Sequence, residues 1–349
     1  MSTRVVFEPI GEEIECGDQE TVLEAAFRQG YNLAYGCREG QCSACKCYVL
    51  EGEVDLLPYS TFALSESEEE NGYTLICRAL PCEDLVVELL HFDPDNYRLE
   101  HPIRDGRGEV ELLESLTGDI RLLRLRVHEP ADFSFLPGQY VDLWVPGSDE
   151  ARRSFSMSNL PDSECIELMI KCYPGGRFSG LLEDSIHPGD TVGFTGPYGA
   201  FHLRRSRRPV LMLAGGSGMA PILSLLRQLA GERSDRMVRF FYGARAARDL
   251  FYLDEIAALG SALGDFRFAP VLSDAALTDP GELARGLVHE CAGEYLRSGE
   301  MEDFEVYMCG PPPMIDAAAE MLSDHGLDES RIFYDKFTIA ADTAERSEA

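Results

Sequence analysis

Four cysteines constrain this chain more than any other feature. Cys37, Cys42, Cys45 and Cys77 fall in the spacing C-x4-C-x2-C-x31-C. Three thiols in so short a loop must wrap one side of a compact centre, and the fourth must arrive from a distant segment. Gly36, Gly40, Ser43 and Ala44 are small, so backbone N–H groups can approach the sulfurs. A disulfide framework is not expected. The eleven cysteines are an odd number, and the opening MSTRVVFEPIGEE carries no apolar export segment, which points to the cytoplasm.

The spacing is that of a plant-type 2Fe–2S cluster, with the four cysteines as ligands. Zinc sites usually carry two short C-x2-C pairs, not one crowded loop and a remote partner. Cys47, Cys16, Cys82, Cys165, Cys172 and Cys291 lie outside this frame and are expected to be small buried hydrophobes.

Charge narrows the partners. The 349 residues carry 61 acidic against 31 basic side chains, a net of −30. A polyanion of this kind is repelled by phosphate backbones and anionic lipid, so neither nucleic acid nor membrane is an expected partner. The longest uncharged stretch, Val210–Leu226, is too short to span a bilayer and is broken by Gly215, Gly216, Gly218 and Pro221. Residues 1–97 hold 20 acidic and 5 basic side chains, a net of −15, so half the excess sits in little more than a quarter of the chain.

Pattern divides the chain into three. Residues 1–97 combine strand-like alternation, a helix over Thr21–Gln29 stopped by Gly30, and the cysteine loop, which makes a small α+β module. Its acidic run Glu66–Glu70 reads as a solvated loop. A polar linker with Pro94 and Pro102 follows, over roughly Phe92–Asp105. Residues 98–206 hold many short alternating strands punctuated by Gly and Pro, the pattern of an antiparallel barrel. From 207 to 349, apolar strands such as VLMLA (Val210–Ala214) and VYMCG (Val306–Gly310) alternate with helices, which implies a parallel sheet with ligands at the strand carboxyl ends.

Motifs in the second and third segments resemble the ferredoxin–NADP reductase superfamily. Arg153-Ser154-Phe155-Ser156 is similar to its R-x-Y-S signature, with Phe155 in place of Tyr, and Gly175-Gly176-Arg177-Phe178-Ser179 is similar to G-G-x-x-S. The resemblance implies FAD, with Arg153 on the pyrophosphate, Phe155 beside the isoalloxazine and Ser156 at its N5 edge. Gly175, Gly176 and Ser179 would hold phosphate at a helix start, and Lys171 joins this set. Gly215-Gly216-Ser217-Gly218-Met219-Ala220-Pro221 follows the first strand of the last segment, where glycines let backbone approach a dinucleotide. Pro221 takes the place of the third Rossmann glycine, as in that superfamily. Cys309-Gly310-Pro311-Pro312-Pro313-Met314 resembles C-G-P-x-x-M, which puts Cys309 beside the nicotinamide and Gly310, Pro311 and Met314 around it. Tyr334-Asp335-Lys336-Phe337 resembles an E-K-F ending, with Phe337 over the flavin.

The module order resembles reductase components of bacterial multicomponent oxygenases, and FEPIGEEIECGDQETVLEAAFRQG, GCREGQCSACK and DLFYLDE resemble those of soluble di-iron monooxygenases. The fold implied is multidomain: a β-grasp ferredoxin domain (1–97), an antiparallel β-barrel FAD domain (98–206) and an α/β parallel-sheet NAD domain (207–349). The activity implied is electron transfer from NADH through FAD and the 2Fe–2S cluster to an oxygenase hydroxylase, docked on the acidic ferredoxin domain. Ser156 and Cys309 are the expected catalytic residues. NADH is expected in preference to NADPH, although Arg245 and Arg248 lie where a 2′-phosphate contact could arise. Two other readings share these motifs: the reductase of a Rieske-type aromatic ring-hydroxylating dioxygenase, and a redox-responsive regulatory protein that signals by binding.

Overall fold

The computed structural model describes residues 2–92, 94, 97–145, 148–161, 164–274, 283–298 and 303–337; Asp93, Asp95 and Asn96 of the expected linker lie outside them. The chain divides into two compact units, Met1–Arg104 and Asp105–Ala349.

The first unit is a β-grasp. Strands β1 (Thr3–Glu8) and β2 (Glu12–Cys16) form a hairpin, and β1 pairs parallel with β7 (Leu85–Leu89). β3 (Lys46–Glu51) and β5 (Tyr73–Leu75) complete the sheet in the order β2-β1-β7-β3-β5. Two short strands, β4 (Val54–Leu56) and β6 (Ala79–Pro81), pair apart from it. Helix α1 (Val22–Arg28) is set by local chemistry. Thr21 Oγ1 accepts from Glu24 N at 3.3 Å while Glu24 Oε2 accepts from Thr21 N at 2.9 Å, a reciprocal cap. Gly30 takes φ +82° just beyond its end. Five of its seven residues are buried, and full burial of each large side chain contributes roughly 1.5–3 kcal/mol.

The acidic run departs from expectation. Glu66–Glu70 is a helix, α2, not a loop. None of its residues is buried, so no hydrophobic period marks it. Ser65 and Glu68 cap each other, and three carboxylates in the first turn favour the positive helix end.

The second unit carries the barrel and the nucleotide sheet. Six antiparallel strands, β8 (Arg104–Ser115), β9 (Ile120–Glu129), β10 (Tyr140–Val145), β11 (Ser148–Ser156), β12 (Cys165–Lys171) and β13 (Thr191–Tyr198), run in the order β11-β10-β13-β8-β9-β12. A bridge between Met157 and Leu168 nearly closes the ring. Val110, Leu123, Val141, Leu143, Leu168 and Phe194 fill its interior.

The other sheet is wholly parallel: β14 (Val210–Gly215), β15 (Met237–Ala244), β16 (Asp265–Leu272), β17 (Ala284–Arg285), β18 (Glu305–Gly310) and β19 (Ile332–Lys336), ordered β17-β16-β15-β14-β18-β19. Helices α4 (Met219–Gly231) and α5 (Leu253–Gly260) cover one face; α6 (Val288–Ser298) and α7 (Pro312–Asp324) cover the other. Strand order reverses between β14 and β18, which opens a crevice at their carboxyl ends. Helix α4 also ties this sheet to the barrel: Ser224 Oγ donates to Asn159 O at 2.7 Å and Arg227 Nη1 donates to Ser158 O at 2.9 Å.

Candidate functional site

In the first unit, the four cysteines gather around one loop. Arg38, Gly40 and Ser43 all take left-handed backbone (φ +58°, +69° and +59°), which curls Cys37–Cys45 around a hollow. Neither Gly36 nor Gly40 has room for a Cβ, which would meet Cys42 Sγ at 2.9 Å and Tyr59 Cβ at 2.7 Å respectively. Backbone amides point inward. Glu39 N and Gln41 N donate to Cys37 Sγ at 3.4 and 3.2 Å, and Cys37 N donates to Cys42 Sγ at 3.2 Å.

The thiols associate as two pairs, Cys37 with Cys42 and Cys45 with Cys77. Within each pair one thiol is lowered and the other raised. The Cys42 thiol and the backbone amides lower Cys37, and the Cys45 thiol lowers Cys77, while Cys42 and Cys45 are pushed up by their partners and by burial. Among the described residues no three His, Cys, Asp or Glu side chains converge on the position of a single ion. Two pairs of thiols with sulfur-directed amides suit a two-iron centre and not a mononuclear zinc. Cys45 and Cys77 are buried, whereas Cys42 is exposed and Cys37 half-exposed, so one pair faces solvent.

The remaining cysteines need correction. Cys16 and Cys47 are buried as expected, but Cys82 is exposed and Cys165, Cys172 and Cys291 are only half-buried. Cys82 follows the short outlying strand β6, beyond the main sheet, and the Cys165 thiol donates to Glu111 Oε2 at 3.2 Å.

In the second unit, helix α3 (Arg177–Asp184) begins at Gly176, and Gly175 takes φ +73° to make the entry turn. Ser179 Oγ accepts from Tyr173 N at 2.9 Å, so its hydroxyl braces the loop and keeps its proton to donate. A cleft of about 690 Å³, lined by Gly118, Asp119, Tyr173, Gly175, Gly176 and Ser179 among others, opens over this turn. That is the size of an ordinary cofactor pocket. On β11, Arg153 and Phe155 pair with Leu143 and Val141 and share their face, and the Phe155 ring lies 5.0 Å from that of Phe178. Ser156 is buried at the end of the same strand.

The crevice between β14 and β18 is built from glycine contacts. A Cβ on Gly218 would fall 2.2 Å from Cys309 O, one on Gly215 would fall 2.6 Å from Met314 Sδ, and one on Gly310 would fall 2.7 Å from Met314 Cε. The turns Gly215–Met219 and Cys309–Met314 therefore interlock, and within Gly215–Met219 only Gly216 is not buried. Gly216, at φ +58°, is held from below by the Tyr242 hydroxyl, which donates to its carbonyl at 3.2 Å. Phe337 N donates to Gly310 O at 2.9 Å, and its ring packs with the group that includes Cys309.

Sequence reasoning missed two acids here. Asp119, in the β8–β9 turn, receives Lys171 Nζ at 3.2 Å and Arg245 Nη2 at 3.3 Å on the same oxygen. Its sequence signal is only that of a turn former capped by Thr117. Lys171 reaches to within 3.9 Å of a Cβ position on Gly216, so this trio sits beside the nucleotide turn. Arg245 is thus paired, while Arg248 lies exposed nearby. Asp335, opposite Cys309, is pushed up to about 6 by burial.

Three stretches of the chain match known domain families. Residues 5–82 match the 2Fe-2S iron-sulfur cluster binding domain, 107–203 the oxidoreductase FAD-binding domain, and 212–320 the oxidoreductase NAD-binding domain. The chain is 48% identical over 343 residues to the reductase component of propane 2-monooxygenase from Rhodococcus jostii (strain RHA1), covering 97% of this chain and 92% of that protein. It is 37% identical to the phenol 2-monooxygenase reductase component DmpP of Pseudomonas sp. (strain CF600), covering 99% and 98%. The crystal structure of the Amycolatopsis cytochrome P450 reductase GcoB superposes with a TM-score of 0.87 at 34% identity, covering 97% and 100%. No helix among the described residues is long and apolar enough to cross a membrane.

Proposed function

The chain belongs to the iron–sulfur flavoprotein reductase components of oxygenases, and on that premise we propose that it is the NADH-dependent reductase of a soluble di-iron monooxygenase of the propane-oxidising type. When bound, nicotinamide, flavin and cluster supply in turn a two-electron donor, a converter from pairs to single electrons, and a one-electron carrier.

The residues divide this work. Cys37, Cys42, Cys45 and Cys77 would hold the cluster, with the Cys37/Cys42 pair on its solvent side. Arg153 neutralises flavin phosphate, the N–H groups after Gly175 and Gly176 and the Ser179 hydroxyl bind at the start of α3, and Phe155 and Phe337 cover the ring. The turn Gly215-Gly216-Ser217-Gly218-Met219 and the turn Cys309-Gly310-Pro311 with Met314 cradle the dinucleotide. Ser156 and Cys309 are the proposed catalytic residues, Ser156 at the end of β11 and Cys309 near the end of β18, where they would flank the flavin and the nicotinamide. Lys171 and Arg245 face the dinucleotide phosphates, and Asp119 offsets one of their two charges. That offset favours NADH, whose ribose carries no additional phosphate.

The observation that carries the partner assignment is the gradient of likeness. Relatives named as propane 2-monooxygenase reductases stand at 44–48% identity, against 37% for the phenol enzyme and 33% for the electron transfer component of toluate 1,2-dioxygenase from Pseudomonas putida. Likeness over most of the chain therefore extends to a dioxygenase component, and only the partner separates the two readings. The net −15 of residues 1–97 supports docking of the ferredoxin domain on a basic surface, in the cytoplasm. The test is NADH-driven reduction of a purified di-iron hydroxylase and of a Rieske oxygenase, each at low and high salt. Faster reduction of the di-iron protein, slowing as salt rises, is expected. Preference for the Rieske protein defeats the partner assignment, and a salt-independent rate defeats the docking surface.

A further inference from the structure

We propose that Arg78 is a potential-setting residue whose guanidinium is the counter-charge of the cluster and raises its reduction potential inside an otherwise strongly acidic domain. The proposal rests on the 2Fe–2S reading of the cysteine loop given above.

Three of the five basic residues in 1–97 directly follow a candidate ligand: Cys37-Arg38, Cys45-Lys46 and Cys77-Arg78. Lys46 and Arg78 differ in how they are compensated. Lys46 Nζ lies 2.6 Å from Glu68 Oε1, so its charge is already met. Among the described residues no carboxylate pairs with Arg78, and its Nε is buried without a hydrogen-bond partner. Arg78 is half-buried, and a partly desolvated cation without an anion is unfavourable, so a fold that keeps one has a counter-charge in view.

The geometry identifies that counter-charge. The Arg78 stem packs on the cysteine loop, where a Cβ on Gly40 would come within 2.9 Å of Arg78 Cγ. Arg78 also directly follows Cys77, so its backbone is anchored at one ligand while its stem packs on the loop that carries the other three. Four thiolates and two sulfides outweigh two ferric ions, so the centre is anionic, and uptake of one electron adds a further negative charge. A fixed cation beside it stabilises the reduced state more than the oxidised one. Removing that cation must therefore move the potential downward.

The test is spectroelectrochemical titration of the full-length holoprotein, followed by EPR of the reduced cluster, for wild type, Arg78→Gln, Arg78→Lys and Lys46→Gln. Arg78→Gln is expected to shift the cluster midpoint to more negative values, by more than Lys46→Gln does, while Arg78→Lys stays near wild type. An unchanged potential in Arg78→Gln, or an equal or larger shift in Lys46→Gln, overturns the proposal. If Arg78→Gln fails to retain iron, normal loading and potential in Arg78→Lys still support a role for charge. Loss of iron in both variants overturns it, because shape would then be what the loop needs. Iron and acid-labile sulfide content of the wild type tests the cluster reading separately. Wild type without two irons and two sulfides per chain defeats that reading, whereas loaded proteins of equal potential defeat only the role of Arg78.

Discussion

Cys309 and Asp335 are register partners on the adjacent parallel strands β18 and β19, so their side chains share one face of the sheet. Burial pushes the Cys309 thiol well up, and the Asp335 charge pushes it further. The thiol beside the nucleotide crevice is therefore neutral at physiological pH, and its neighbour is the group that titrates.

That neighbour gives the fold a pH dependence of known sign. Burial raises the Asp335 carboxyl to about 6 in the folded chain, above its ordinary value of roughly 4. Its contribution to stability is complete below that ordinary value and is lost as pH rises through the folded one. Asp335→Asn is expected to lose less thermal stability than wild type on going from about pH 4 to about pH 7. Parallel melting curves for the two proteins across this range would count against a half-buried, titrating Asp335.

The interlocked turns give a steric prediction. In Gly218→Ala the new methyl meets Cys309 O at 2.2 Å and Gly310 N at 2.8 Å, both backbone atoms. The cost is expected to be about 1–3 kcal/mol of stability, with weakened NADH binding. Gly231→Ala, at the end of α4 with nothing within 4 Å of its Cβ, is expected to be neutral or stabilising by up to about 1 kcal/mol. Denaturant unfolding and ADP-ribose binding read both effects. Equal behaviour of the two variants is the outcome that refutes the close approach.

Asp119 governs nucleotide choice if its carboxylate offsets the Lys171–Arg245 pair. Asp119→Asn is expected to raise kcat/KM for NADPH relative to NADH and to tighten binding of 2′,5′-ADP more than that of ADP. A preference ratio and a 2′,5′-ADP affinity both equal to those of wild type remove Asp119 from specificity.

Legibility in the sequence followed the kind of force involved. The cysteine loop could be read because spacing alone prescribes how thiols wrap a small centre. Helix α1 could be read because Thr21, Glu24 and Gly30 mark its ends locally. Helix α2 could not, since it buries no residue and is held by the reciprocal cap of Ser65 and Glu68 and by the ion pair of Glu68 with Lys46, 22 residues away. Cys82 shared composition with its buried counterparts but follows an outlying strand. Asp119 stayed hidden because Arg245 lies 126 residues away and meets it only after the barrel and the parallel sheet have packed together. The partial burial of Asp335 likewise depends on the pairing of β19 with β18.

The central claim is that electrons pass from NADH through flavin to the cysteine-bound cluster within one chain. Anaerobic titration with NADH, followed together by absorbance and EPR, tests it most directly, with NADPH in parallel. The predicted result is flavin bleaching followed by a one-electron 2Fe–2S signal, reached more readily with NADH. Bleached flavin without any cluster signal, in protein carrying its full iron and sulfide, would contradict the relay.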